Sequence, residues 1–366
     1  MILEFGERVV PIFVFLIGIS VVVNVGAAAG VFDRLARASL RLSRGRNWVV
    51  WVIIVLLSVL STAFLSLDTT AVLLTPIAMA FARAARLDPL PYALTVVWLA
   101  NTASLFLPVS NLTNLLAASG GVIEGTSSFI PLAIGPALAS VGVTVLIAAL
   151  VFRRQLSGTH SPPELEHRAG HGHPSANRAA FALSCGALLL LVVLLVTDIP
   201  YWMSSTLVAA TLLLGLRATR SPLTLGLGLV PWRILGIAAV LMVLTLVVQL
   251  IGGHLLDGIR LTDSAGDAVG LAAAGLALSN GVNNLPAYLL LEPLATSPLL
   301  LIALLIGTNV GPLITPWASL ANLLWHDQLR RGGEQLSWMR FALLGLLVAP
   351  LSVAAATWAL IALSPS

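Results

Sequence analysis

The chain is 366 residues long, 58% hydrophobic and only 9% charged, with a formal net charge of +4. A soluble fold of this size needs a charged shell, which this composition cannot supply, whereas it does contain apolar runs of about 20 residues; it reads as an all-α polytopic membrane protein. The basic residues are all arginine and lie in loops between apolar runs rather than along one face, which excludes a nucleic-acid binder and makes them markers of the cytoplasmic side. Cys185 is the one cysteine and sits in an apolar run, so neither a disulfide framework nor a thiolate metal site is expected.

The first apolar run, residues 9–31, follows Glu4, Glu7 and Arg8 without a basic leader or cleavage signal, and is read as a retained helix. Arg34, Arg37, Arg41, Arg44 and Arg46 then place a short loop inside. Residues 48–67 and 71–82 flank the polar string Ser66-Leu67-Asp68-Thr69-Thr70, and both outer ends are basic. The second arm holds Pro76 and has only about 15 residues, short of the roughly 20 that span a bilayer. A re-entrant hairpin with Asp68 at its tip is expected. Residues 91–117 form an apolar segment broken by Pro108 and a run of amides and hydroxyls, and the loop after it carries Glu124 and no arginine, which puts it outside.

Residues 129–152 return to the inside, where the one long hydrophilic stretch holds His160, His167, His171, His173 and Pro162-Pro163. Gly and Pro between these histidines give no fixed ligand geometry, so a linker is expected there rather than a metal sensor. Spans at 179–197, 202–216 and 234–251 lead to a loop with Asp257, Arg260, Asp263 and Asp267. A second hairpin has arms 269–278 and 285–294 and a tip of Ser279-Asn280-Gly281-Val282-Asn283-Asn284. A second broken segment at 298–325 and a last span at 341–363 complete the chain. With about eight full crossings and two hairpins, every arginine-rich loop falls on one side.

The second half repeats the first. NTASLFLPVSNLTNLLA at 101–117 is echoed by NVGPLITPWASLANLLW at 309–325, so that Asn101 falls on Asn309, Pro108 on Pro316 and Asn114 on Asn322. Lipid offers no hydrogen bonds, so unwound backbone at membrane depth is tolerated only where it is buried in protein or lines a cavity. Loop charges make the two copies enter from opposite sides, which is the inverted-repeat arrangement of secondary transporters with a midplane site. The division expected is a first repeat at 1–152 lacking an N-terminal helix pair, a cytoplasmic linker at 153–177 and a second repeat at 178–366.

Asp68 is the sharpest candidate, because an ionisable group at bilayer depth is costly and marks function by default. It is assigned the coupling role; the alternative is that it caps the second hairpin arm through the N–H groups of Thr70 and Ala71. Substrate contacts are assigned to Thr69, Thr70, Asn101, Thr102, Ser104, Ser110, Asn111, Thr113, Asn114, Asn280, Asn283, Asn284, Asn309, Thr315, Ser319 and Asn322, which can both donate and accept. Half-helix N-termini add positive partial charge, so the site suits a small hydroxylated solute that is neutral or anionic. No nucleophile–base pair, metal-ligand spacing or phosphate loop supports an enzyme, and no cofactor is called for.

SLDTTAVLLTP, NTASLFLPVSNLTNLLA, SNGVNNLPAYLL and GTNVGPLITPWASLANLLW, in that order, resemble the signature segments of the arsenite permease family of arsenical pump membrane proteins, in the ion transporter superfamily. The likeness runs through nearly the whole chain from about residue 9. It implies export of arsenite or antimonite across the cytoplasmic (inner) membrane, driven by protons or by a docked cytoplasmic ATPase subunit, in a homodimer. Some such proteins carry a carboxylate in the broken segments; here those positions are Asn101 and Asn309, which leaves coupling to Asp68. A sodium-coupled dicarboxylate or citrate symporter, or a sodium/proton antiporter, is the alternative on the same fold. Ser110-Asn111-Leu112-Thr113 is reminiscent of the Ser-Asn-Thr tips of dicarboxylate carriers, but its second copy reads Ala318-Ser319-Leu320. An inactive membrane scaffold is a third reading.

Overall fold

The computed structural model describes residues 2–31, 34, 45–123, 125–159, 178–197, 199–219, 226–230, 232, 235–237, 239, 240, 243 and 258–364. Apart from one β-bridge between Arg46 and Thr159, all its regular elements are helices. The helices longer than two turns, with the seven-residue α5, are in order α1 (Ile2–Ala28), α2 (Asn47–Leu65), α3 (Leu67–Ala84), α4 (Leu90–Thr102), α5 (Leu112–Ala118), α6 (Gly125–Val151), α7 (Arg178–Leu195), α8 (Tyr201–Ala218), α9 (Ala265–Val282), α10 (Asn284–Leu291), α11 (Pro298–Leu305), α12 (Leu320–Arg331) and α13 (Trp338–Leu363). Among the described residues five helices are long and apolar enough to cross a membrane: α1, α2, α6, α7 and α13. The span expected at 234–251 and the histidines of the linker lie outside the described residues, apart from single positions.

Both hairpins turn on one residue. α2 and α3 reverse at Ser66, with φ 97°, and α9 and α10 at Asn283, with φ 113°. A left-handed non-glycine residue costs on the order of 1–3 kcal/mol and persists only when its surroundings hold it. Here the caps hold it: Thr69 N–H donates to Ser66 Oγ at 3.3 Å, and Leu285 N–H to Asn283 Oδ1 at 3.2 Å. Between the arms of the first hairpin, Thr70 Oγ1 donates to Ser61 Oγ and accepts from Thr62 Oγ1.

The arms correct the expected lengths. The second arm of the first hairpin has 18 residues rather than about 15, because Asp68, Thr69 and Thr70 form the first turn of α3 instead of a loop. In the second hairpin Ser279 to Val282 likewise complete α9.

The breaks fall where the prolines predict. A proline has no N–H to continue the ladder, and Pro108 and Pro316 each open a short 3₁₀ turn, at Pro108–Ser110 and Pro316–Ala318. Ahead of the second break α11 widens into a π-helical segment, Ile306–Val310. Gly307 in that segment lies on Gly275 of α9: a Cβ at Gly307 would overlap the Ala272 carbonyl oxygen, and one at Gly275 would sit 3.1 Å from Gly307 Cα. Overpacking of this kind costs about 1–3 kcal/mol. Gly307→Ala is therefore expected to lower the Tm of the purified protein, while Gly142→Ala, whose added Cβ meets nothing within 4 Å, leaves it unchanged.

The halves are tied by their own symmetry. Thr144 of α6 and Ser352 of α13, 208 residues apart, share a hydrogen bond at 3.1 Å, and the same separation relates Asn101 to Asn309. Each outer helix thus meets its own counterpart. Trp325 of α12 reaches across to donate to the Ala93 carbonyl of α4 at 2.7 Å, and the first hairpin rests on α12 through α3.

Candidate functional site

The two tips and the two breaks converge on one cavity of about 60 Å³. Ser66, Leu67 and Asp68 come from the first tip, Asn283, Asn284 and Leu285 from the second, Val109, Asn111, Leu112 and Leu115 from the first break, Leu320 from the second, and Leu16 from α1. Four helices, α3, α5, α10 and α12, begin on its wall, at Leu67, Leu112, Asn284 and Leu320. Their caps are Ser66, Asn111, Asn283 and Ser319, each of whose side chains accepts from an N–H of its own helix. The positive ends of these helices therefore face a common point.

Among the described residues, Asp68 is the one ionisable side chain on this wall. It does not cap α3. Ser66 takes that role, and Thr70 N–H bonds to the Ser66 carbonyl at 3.0 Å, so the capping alternative for Asp68 fails. Its Oδ1 is buried and has no hydrogen-bond partner among the described residues. Ser66 is the lining residue that sequence reasoning passed over. Its signal was legible: a serine directly ahead of an acid-bearing first turn is the preferred N-cap.

The four asparagines of the broken segments do something different. Asn101 Nδ2 donates to Asn322 Oδ1 at 3.1 Å, and Asn309 Nδ2 donates to Asn114 Oδ1 at 2.6 Å. Asn114 Nδ2 then spans its own break by donating to the carbonyls of Ser104 and Leu107, and Asn322 Nδ2 matches it on Pro312 and Thr315. The result is a two-fold clasp in which each break is closed by an amide and each amide is held by the opposite repeat. The clasp is unequal. Asn309 Oδ1 also accepts from Asn111 Nδ2 at 3.0 Å and Thr113 Oγ1 at 2.6 Å, whereas Asn101 Oδ1 is buried without a partner among the described residues. The repeat accounts for part of this: Ala321 stands where Thr113 does in the first copy, so the hydroxyl that donates to Asn309 has no counterpart for Asn101.

Of the remaining candidates, Asn111, Asn283 and Asn284 reach the cavity with Asp68. Thr69 lines an adjoining crevice. Thr70 is in the hairpin ladder, and Thr102 and Ser104 donate to the carbonyls of Trp98 and Asn101. Ser110 donates to the Ala63 carbonyl and so pins the first break to the first hairpin. Asn280 plays that part in the second half, accepting from Ile314 and Thr315 N–H at its Oδ1, while Thr315 Oγ1 and Trp317 Nε1 donate to its carbonyl.

At the mouth of the second hairpin, outside the membrane-spanning segments, Asp267 accepts from Thr262 N–H, Thr262 Oγ1 and Ser264 Oγ. The Thr262 hydrogen bonds hold its carboxyl below the ordinary value of 3.8. A carboxyl depressed in the folded state contributes stability that is present above its unfolded pKa and lost as the pH falls through the folded one. Amide exchange at Thr262 is expected to stay slow at neutral pH and to lose its protection only below about pH 4, with Asp267→Asn showing less protection at pH 7.

A family model described as citrate transporter, CitMHS, matches residues 5–299. The chain belongs to that family. This CitMHS member is 28% identical over 346 residues to the arsenical pump membrane protein of Escherichia coli, covering 85% of this chain and 76% of the relative. It is also 28% identical over 344 residues to the protein of the same name from Yersinia enterocolitica, covering 87% and 79%. The solved structure of the YdaH transporter of Alcanivorax borkumensis, described as having an unusual topology, superposes with a TM-score of 0.60 at 16% identity, covering 98% of this chain and 86% of that one. These matches bear out the resemblance to the arsenite permease family and the all-α polytopic fold, and they make this CitMHS member a multi-pass membrane transporter.

Proposed function

We propose that the protein is a secondary transporter that exports arsenite or antimonite across the cytoplasmic (inner) membrane in exchange for protons, by alternating access around the cavity between the tips, with Asp68 as the coupling residue. The observation that carries this reading is the wall itself: among the described residues, four helix N-termini and three asparagines stand around a single carboxyl, with no arginine or histidine. Trivalent arsenic as a neutral trihydroxide can donate to and accept from those amides without needing a countercharge. Its relatives named arsenical pump membrane proteins point the same way.

The family's description as citrate transporters favours a second reading, sodium-coupled uptake of citrate or a dicarboxylate. A multiply charged anion placed beside Asp68 would meet like charge in a low-dielectric cavity and find no side-chain cation to offset it. We therefore rank it second.

The test is reconstitution of the full chain in liposomes. With an imposed pH gradient, arsenite movement against its concentration gradient is expected, with no response to sodium. Sodium-driven citrate uptake with no arsenite movement would reverse the ranking. Arsenite movement that ignores the pH gradient and needs a cytoplasmic ATPase subunit would keep the substrate and replace the energy source.

A further inference from the structure

We infer that the proton reaches Asp68 by a route of its own, a crevice between α1 and the first hairpin that is separate from the cavity between the tips. This rests on the exporter reading above. Leu16 of α1 and Ser66 and Asp68 of the tip lie on the wall of both spaces, so the tip, packed beside Leu16, is the boundary between them. The crevice, of about 100 Å³, has room for several waters. Its polar wall is formed by Ser20 and Asn24 of α1 together with Ser66, Asp68 and Thr69, and Leu235 also lines it.

From the tip, the crevice follows α1 toward Arg34 and α3 toward Arg83, that is, toward the arginine-bearing end of the molecule. The central cavity lies on the other side of Asp68, against Asn111, Asn283 and Asn284. Among the described residues, no ionisable side chain other than Asp68 lines either space. A carboxyl whose Oδ1 has no partner among the described residues, at the meeting point of two cavities, can release a proton into one while the solute occupies the other. The two ligands then compete through Asp68 without sharing a path.

The separation can be read from two modes of transport in liposomes holding the full chain. Exchange of labelled for unlabelled arsenite at equal pH needs only the solute path. Net movement driven by a pH gradient needs the proton path as well. Ser20→Leu, which fills the crevice, is expected to leave exchange unchanged and to lower net movement by about 10²-fold, the scale of a lost positioned proton-transfer step. Leu112→Phe, which fills the central cavity, is expected to lower both. If Ser20→Leu lowers both modes equally, or neither, the separate route is wrong.

Should the wild-type chain exchange no arsenite, the exporter reading falls instead, and the crevice is tested without any solute. A thiol placed by Ser20→Cys, with Cys185→Ser, is expected to react with a small charged thiol reagent supplied at the arginine-bearing side. Failure to react in a protein of wild-type Tm would overturn the route by itself.

Discussion

Asp68→Asn is expected to yield a protein that inserts and folds as well as the parent, with an equal or higher Tm, yet moves no net arsenite along a pH gradient. Both halves of this result follow from the tip. Ser66, not Asp68, caps α3 and holds the left-handed turn, so the amide removes no structural contact. Asp68 Oδ1 is buried without a partner among the described residues, and a buried polar group left unmatched costs about 1–3 kcal/mol. The amide leaves that oxygen in place but carries no charge to desolvate, so it does not add to the cost of burial, while it deletes the one ionisable group that lines the cavity among the described residues. Stability kept and activity lost is the pattern of a residue retained for its task against its own folding cost. A fall in Tm together with activity would instead make Asp68 structural. The pair of measurements is thermal unfolding in detergent and gradient-driven transport in liposomes, made on the same preparation.

Asn309→Ala is expected to destabilise the protein much more than Asn101→Ala, although the repeat places the two residues at equivalent positions. Asn309 accepts from Asn111 and Thr113 and donates to Asn114, so truncation strands the Thr113 hydroxyl and the Asn114 oxygen and leaves Asn111 Nδ2 only its long 3.4 Å bond to Ser104 Oγ. At about 1–3 kcal/mol for each unsatisfied group, a loss on the order of 3 kcal/mol or more is expected. Asn101 donates to Asn322 and, within its own helix, to the Val97 carbonyl, which already belongs to the α4 ladder. Its truncation strands one acceptor, on the order of 1 kcal/mol. Thermal unfolding of the two variants side by side decides the matter: equal losses would mean that the two sides of the clasp hold equally. Transport is expected to fail in Asn309→Ala as well, because Asn111 lines the central cavity and loses the acceptor that positions it.

How much of this was legible in the chain varies from residue to residue. Membrane character followed from composition, and the breaks from Pro108 and Pro316, because a proline in an apolar helix removes a hydrogen bond that lipid cannot replace. The repeat itself was readable as text. The hairpins were readable from basic flanks on both sides, but the argument from arm length was weaker than it looked. α2 and α3 have 19 and 18 residues, lengths that would suit a full crossing. What identifies the tip as interior is its company, since Ser66 and Asp68 share a wall with Asn283 and Asn284 of the opposite hairpin.

The candidate residues divide along the same line. Sixteen polar positions beside Asp68 were equally eligible by sequence, because an amide's chemistry is the same whether it faces a solute or another amide. Their one-dimensional spacing could not show that Asn101 meets Asn322 and Asn309 meets Asn114, since both pairs join distant parts of the chain. Nor could it show that Ser66 would take the cap and leave Asp68 free, a choice made by the left-handed turn at a single residue.

The sequence by itself determined that this is an inverted-repeat membrane protein with paired helix breaks and one acid at depth, because composition, proline and loop charge act locally and need no partner. The tertiary structure alone decided which amides lock the repeats together and which stand with Asp68 around a cavity, because hydrogen bonds between buried side chains are settled by what each group finds opposite it in the other repeat.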